Sequence, residues 1–279
     1  MTCTAATHEH SIHHHHIPSG LFEERSMALL LDAVNVAVAA ATGNARVFTV
    51  MNNCPYTIWP ALYTDPGVGP SKPNQSTGWE APSGSSVIFT VPDDWKSGRI
   101  WGRTSCNFDT NPGPTSCVTG GCIGGMECTQ PGVPPTSLAE WTLRGDGNRD
   151  FYDVSLVDGS NLPMSITNTA GCPVAECPVD LNTNCPAALR GPSAPDGNNA
   201  GCKSACFANL DGNPTDSANC CSGSHNTPAT CPNSGVQFYD YFKTQCKNSY
   251  AYAFDESSNT ALWTCDSGLK AGYTLTFCP

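Results

Sequence analysis

Positive charge is scarce in this 279-residue chain, with 13 Lys and Arg set against 24 Asp and Glu. A surface so poor in cations disfavours nucleic acid and anionic membrane, both of which attract basic proteins. Histidine is scarce where it would matter. Six of the seven lie within residues 1–26, including the run His13–His16, and only His225 remains further on. A nucleophilic triad is effectively excluded, since His225 sits in a Ser/Gly-rich loop. Mixed Cys/His zinc sites fall for the same shortage. The apolar run Met27–Ala41 has fifteen residues, too short to span a bilayer. Helical periodicity is rare, and neither an internal repeat nor a low-complexity tail is present.

Cysteine, proline and glycine are abundant, at 17, 23 and 26 residues. That balance predicts short strands, turns and ordered loops rather than a helical fold. Setting aside Cys3 leaves sixteen cysteines between Cys54 and Cys278, an even number that points to disulfides made in an oxidising compartment. A cysteine nucleophile would need a free thiol, and four-cysteine zinc sites would need a reducing compartment. Sixteen cysteines allow on the order of two million pairings. Adjacent Cys220 and Cys221 should serve different bridges, because joining neighbours strains the peptide between them.

Residues 1–26 read as a leader or tag-like segment, and residues 27–45 as a signal peptide cut before Arg46. Without Arg25, Glu9, Glu23, Glu24 and Asp32, the remainder carries 12 cations against 20 anions, a net charge of −8. Such a surface suits a neutral partner such as a polysaccharide. Strands are predicted over Arg46–Trp59, broken at Cys54-Pro55, and over Val87–Val91, Arg99–Thr104, Leu162–Asn168, Tyr250–Phe254 and Tyr273–Phe277. Val236–Lys247 has the spacing of one short helix. Asn74-Gln75-Ser76 is an N-glycosylation sequon.

Chemistry concentrates in Pro134–Met164. Asp146-Gly147 predicts a hairpin turn, and a turn centred there pairs residues whose numbers sum to 293. Glu140 then faces Asp153, two like charges that should hold one proton more tightly than either would alone. Asp158-Gly159 predicts a second turn that returns Asp158 toward the pair. Two facing acids with a third nearby are what glycoside hydrolysis needs. The plain alternative is that Asp153 and Asp158 cap loops and Glu140 is solvated.

Seven stretches together resemble the thaumatin-like proteins, including pathogenesis-related 5 and osmotin-like members. They are NNCPYTIW (52–59), RIWGRTSCNF (99–108), CVTGGCIGGMEC (117–128), PPTSLAEWTL (134–143), DFYDVSLVDGSNLPM (150–164), CCSG (220–223) and TLTFCP (274–279). Gly121 departs from the family's usual aspartate. The resemblance implies an all-β fold, a flattened β-sandwich of about eleven strands with two disulfide-rich lobes and an acidic cleft. By it, residues 46–103, 141–178 and 247–279 form the sandwich, 104–140 the small lobe and 179–246 the large one. The implied bridges are Cys54–Cys278, Cys106–Cys117, Cys122–Cys128, Cys172–Cys265, Cys177–Cys246, Cys185–Cys202, Cys206–Cys220 and Cys221–Cys231.

The family's cleft residues fall on Arg99, Glu140, Asp153, Asp158 and, across a gap, Asp255, with Glu256 as its stand-in. The expectation is a secreted monomer whose cleft binds β-1,3-glucan and hydrolyses it without metal or cofactor, in wall remodelling or antifungal defence. Glu140 would be general acid, and Asp158 or Asp153 base or nucleophile. Arg99 would orient a carboxylate or serve as a structural ion pair. Tyr152, Trp141 and Phe238 are candidate sugar platforms, with core packing as the alternative role. Glucan binding without cleavage, or a wall-associated inhibitor working through a loop, are the alternative functions.

Overall fold

The structure is a computed structural model that describes residues 45–109 and 112–279. The leader and signal peptide expected upstream lie outside the described residues, except for Ala45. Short strands rich in β-branched and aromatic residues form two five-stranded sheets. The first holds β1 (Ala45–Asn52), β3 (Ser86–Pro92), β7 (Met164–Asn168), β8 (Ala175–Cys177) and β10 (Tyr273–Phe277), in the order β3-β1-β10-β7-β8. The second runs β2-β4-β5-β6-β9, built from β2 (Trp59–Thr64), β4 (Gly98–Arg103), β5 (Leu138–Thr142), β6 (Arg149–Ser155) and β9 (Trp263–Asp266). Only β1 and β10 pair in parallel among these strands. Ten strands are thus described, in the all-β sandwich expected.

Alternation sets the layers. β1 buries Arg46, Phe48, Val50 and Asn52 and leaves the residues between them half-exposed, the period-two pattern of a strand with one face in the core. Phe48 meets Trp141, Tyr273 and Trp95 edge-on or tilted, at centroid distances of 5.1, 5.3 and 5.7 Å. These rings fill the space between the sheets. A second cluster, Trp101, Ala61, Leu138, Cys122 and Cys128, lies on the outer face of the second sheet.

Eight disulfides join the same pairs that the resemblance implies. Cys106–Cys117 and Cys122–Cys128 hold the segment between β4 and β5, while four bridges hold the turn-rich segment between β8 and β9. The one α-helix described, α1 (Tyr239–Gln245), lies in that second segment, inside the window predicted for it. β5 begins at Leu138, so Leu138–Glu140 belong to the sheet and not to the small lobe.

Tyr250–Phe254 departs from expectation. Tyr250 makes one parallel bridge to Ser155, after which the chain turns. The Asp255 carboxylate accepts the Ala251 N–H at 2.9 Å, which closes that turn. Tyr252 and Phe254 then bury themselves in a separate cluster with Cys231 and Val236.

Candidate functional site

The Asp-Gly turn forms as a short 3-10 segment with Gly147 at a φ of 63°, a left-handed conformation that glycine adopts without a Cβ clash. β5 and β6 consequently pair with Glu140 opposite Asp153. β4 adds Arg99 opposite Glu140. Three adjacent strands thus present Arg99, Glu140 and Asp153 in one row on the outer face of the second sheet. Tyr63 extends the row on β2, facing Arg99.

This row floors a cleft of about 210 Å³ bordered also by Ser97, Thr142, Phe151, Tyr250, Glu256 and Leu262. Arg99 Nη2 donates to Glu140 Oε1 at 3.1 Å, and the Glu140 side chain stays 26% exposed. Asp153 is only 9% exposed. Its Oδ1 and the Arg99 Nε are buried with no hydrogen-bond partner among the described residues. Burial first, then the Glu140 carboxylate, holds the Asp153 carboxyl well above the usual range, against the pull of Arg99 and with help from Glu256. Burial and Glu140 likewise push Asp158 up to about 6, with Arg99 pulling the other way. Asp158 follows β6 in a turn whose carbonyl accepts the Thr136 N–H at 3.2 Å. The site therefore holds one carboxylate clamped by a guanidinium beside two carboxyls that favour the proton. Among the described residues no group of three or more His, Cys, Asp or Glu is disposed to hold a metal ion.

Two expected site residues lie elsewhere. Asp255 is 1% exposed and points away from the cleft's lining. It pairs with Lys243 at 2.9 Å and accepts the Tyr239 hydroxyl at 2.8 Å, which makes it an anchor of α1. Its neighbour Glu256 lines the cleft instead. Tyr152 is fully buried, with its hydroxyl on the Pro173 carbonyl and its ring against Tyr273. Because Asp153 faces the cleft, Tyr152 must face the core, as successive strand residues alternate. The Trp141 ring is in the core for the same reason, stacked on Trp95. Phe238 is 36% exposed at the start of α1 and does not line the cleft.

Sequence reasoning missed Phe151, Tyr250 and Leu262. Phe151 was within reach, since it lies two residues from Asp153 on the same face. Continuing the pairing of β6 with β9 places residue 262 opposite 153, beside that row. Tyr250 had no signal, because the turn-rich segment before it lacks periodicity.

Residues 52–279 match the model of the Thaumatin family, and this chain belongs to that family. It is 43% identical over 258 residues to pathogenesis-related thaumatin-like protein 3.5 of Cryptomeria japonica, covering 91% of this chain and 98% of the relative. It is 44% identical over 240 residues to pathogenesis-related protein 5 of Arabidopsis thaliana, covering 84% of this chain and 91% of that protein. A glucan endo-1,3-beta-glucosidase of Prunus avium is 37% identical over 261 residues, covering 91% of this chain and 99% of its own. Among solved structures, a family 64 laminaripentaose-producing beta-1,3-glucanase of Paenibacillus barengoltzii shares the fold, with a TM-score of 0.51 at 11% identity. That likeness covers 87% of this chain and 78% of the glucanase.

Proposed function

We propose that this chain is a secreted protein that binds β-1,3-glucan in the cleft and hydrolyses it, in antifungal defence or wall remodelling. The observation that carries this reading is the Arg99–Glu140–Asp153 row with Asp158 beside it. It supplies carboxyls in opposite protonation states, which glycoside hydrolysis requires. The name of the Prunus avium relative supports the substrate class. The pathogenesis-related names of the others support defence. Eight disulfides support secretion.

Roles follow from the partners. Arg99 holds Glu140 as a carboxylate, which suits a base or nucleophile. Asp158 carries a proton up to about pH 6, which suits the general acid. This reverses the roles expected from sequence, where facing Asp153 seemed reason enough to put the proton on Glu140. Arg99 and the burial of the aspartates decide otherwise. Asp153 would keep the row's charge low and offer its free Oδ1 to a sugar hydroxyl.

Incubating the purified chain with laminarin tests the reading. Wild type should release oligosaccharides, while Glu140→Gln should bind laminarin and release about 10²–10⁴-fold less. Binding by wild type with no released sugar would leave a glucan-binding protein and remove the enzyme. Neither binding nor release would remove both.

A further inference from the structure

Tyr250 borders the cleft beside Glu256, and neither the fold nor the hydrolysis described above uses its hydroxyl. Its backbone is clamped to β6. The Tyr250 N–H donates to the Val154 carbonyl at 2.9 Å, and the Tyr250 carbonyl accepts the Leu156 N–H at 2.9 Å. These bonds straddle Ser155, so the ring is fixed relative to Asp153 two residues away. The hydroxyl donates toward the Glu256 carboxylate and lies within reach of the charges of Asp153 and Glu140. Burial first, then Asp153 and Glu256, keep the phenol protonated far above its ordinary range, so it remains a donor at any working pH. Glu256 in turn acts on Asp153.

We propose that Tyr250 is a positioning residue that holds Glu256 beside Asp153, as Arg99 holds Glu140, so that the buried aspartate sits between two anchored carboxylates. The inference deepens the hydrolytic reading and rests on it for any role in turnover. In the row so completed, Arg99 neutralises one flanking carboxylate with a full charge and Tyr250 tempers the other with a neutral O–H. Asp158 and Arg99 are the remaining charged groups near the aspartate. A neutral anchor restrains Glu256 without drawing the proton off Asp153, which a second cation in that place would do. The free Oδ1 of Asp153 and the free Nε of Arg99 are then left as the unpartnered buried groups of the row, ready for hydroxyls of the same bound glucan.

Tyr250→Phe removes the O–H and keeps the ring. In the ligand-free protein, followed by carbon NMR of the Asp153 carboxyl, the titration should move up by about half a pH unit or more, because Glu256 then acts on Asp153 untempered. Glu256→Gln, which removes the charge itself, should move it down. On laminarin, Tyr250→Phe should lower kcat about tenfold with KM changed less than about threefold. Its effect should be non-additive with that of Glu256→Gln. If Tyr250→Phe leaves the Asp153 titration where it was, the positioning role is overturned whether or not glucan is cut. A moved titration in a protein that releases no sugar supports the positioning and removes only hydrolysis. Additive kcat losses in an active enzyme overturn the part assigned to Tyr250 in turnover.

Discussion

Asp158 and Glu140 have opposite needs for a proton, and that difference sets measurable behaviour for each side chain. Asp158 holds its proton more tightly folded than unfolded, because burial and Glu140 push its carboxyl up to about 6. For a raised carboxyl the folded state is favoured at low pH, and that advantage fades as pH rises from about 4, the unfolded value, to about 6. Above that window the folded site must hold a charge that water would solvate better. Asp158→Asn should therefore raise the thermal midpoint at pH 7 while abolishing turnover, the trade between stability and activity expected of a functional group. Differential scanning calorimetry of the two proteins at pH 7 and pH 4 checks it. The gain should shrink at pH 4. A midpoint that falls at pH 7 would mean that Asp158 is stabilising where it stands. Glu140 is different: its partner is already in place, with Arg99 at 3.1 Å, and half-exposed pairs of this kind contribute little to stability. Arg99→Gln should change the midpoint little and reduce glucan hydrolysis sharply.

At the scale of elements, the strands that carry the site are fastened from the opposite end. Arg46 on β1 is buried and donates to Asp150 at the start of β6 at 3.0 Å, and also to Asp93. Asp150 further accepts the Ser267 hydroxyl at 2.6 Å and the Tyr273 hydroxyl of β10 at 2.9 Å. The two sheets are thus tied through one carboxylate. Asp150→Ala leaves Arg46 buried beside an empty place, and removing one partner of a buried pair costs about 3–5 kcal/mol. Urea unfolding should show that loss as a lower midpoint with an unchanged slope.

Asp93 behaves with the opposite sign to Asp158. Burial works against its charge, but hydrogen bonds from Lys270 and Arg46 prevail and hold it below the usual carboxylate range. Its contribution is present at neutral pH and is lost as pH falls below about 4. Asp93→Asn should flatten the acid side of the stability curve between about pH 4 and pH 2, which circular dichroism during acid titration would follow.

At this scale much was legible in the sequence, for definite reasons. The Asp-Gly turn fixes a register, and a register fixes which residues face each other, so Glu140 opposite Asp153 followed from counting alone. Alternation is as strict, and it should have removed Tyr152 and Trp141 from the cleft, since each stands next to an acid that faces it. What could not be read lies beyond strand geometry. Asp255 and Glu256 are adjacent in a turn, where no parity rule says which one points outward. Tyr250 is brought to β6 by a disulfide-held segment with no periodic pattern to follow. The partner of Glu140, which decides where the proton resides, depends on the pairing of β4 with β5 across a long bridged insertion.

For the whole molecule, closure matters more than any one contact. Cys54–Cys278 joins positions 224 residues apart, linking the end of β1 to the end of β10. In the chain-entropy view, a bridge across so long a loop restricts the unfolded state strongly, and losing one costs about 2–5 kcal/mol. The double variant Cys54→Ser, Cys278→Ser should lose that much in equilibrium unfolding and should keep its glucan site, because the cleft row is held by other strands. The sandwich, so fastened at its far end and along its lobes, leaves the outer face of one sheet free to carry charge. That arrangement lets buried aspartates keep protons beside an ion pair without unfolding the protein.

The rate of oligosaccharide release from laminarin, measured from about pH 4 to about pH 8 in wild type and in Asp158→Asn, tests this account most directly. Wild type should lose activity as pH rises through about 6, the value to which Asp158 is pushed, and the variant should show no such limb and little release at any pH. Release that stays constant through that range in wild type, or survives in Asp158→Asn with the same profile, would contradict it.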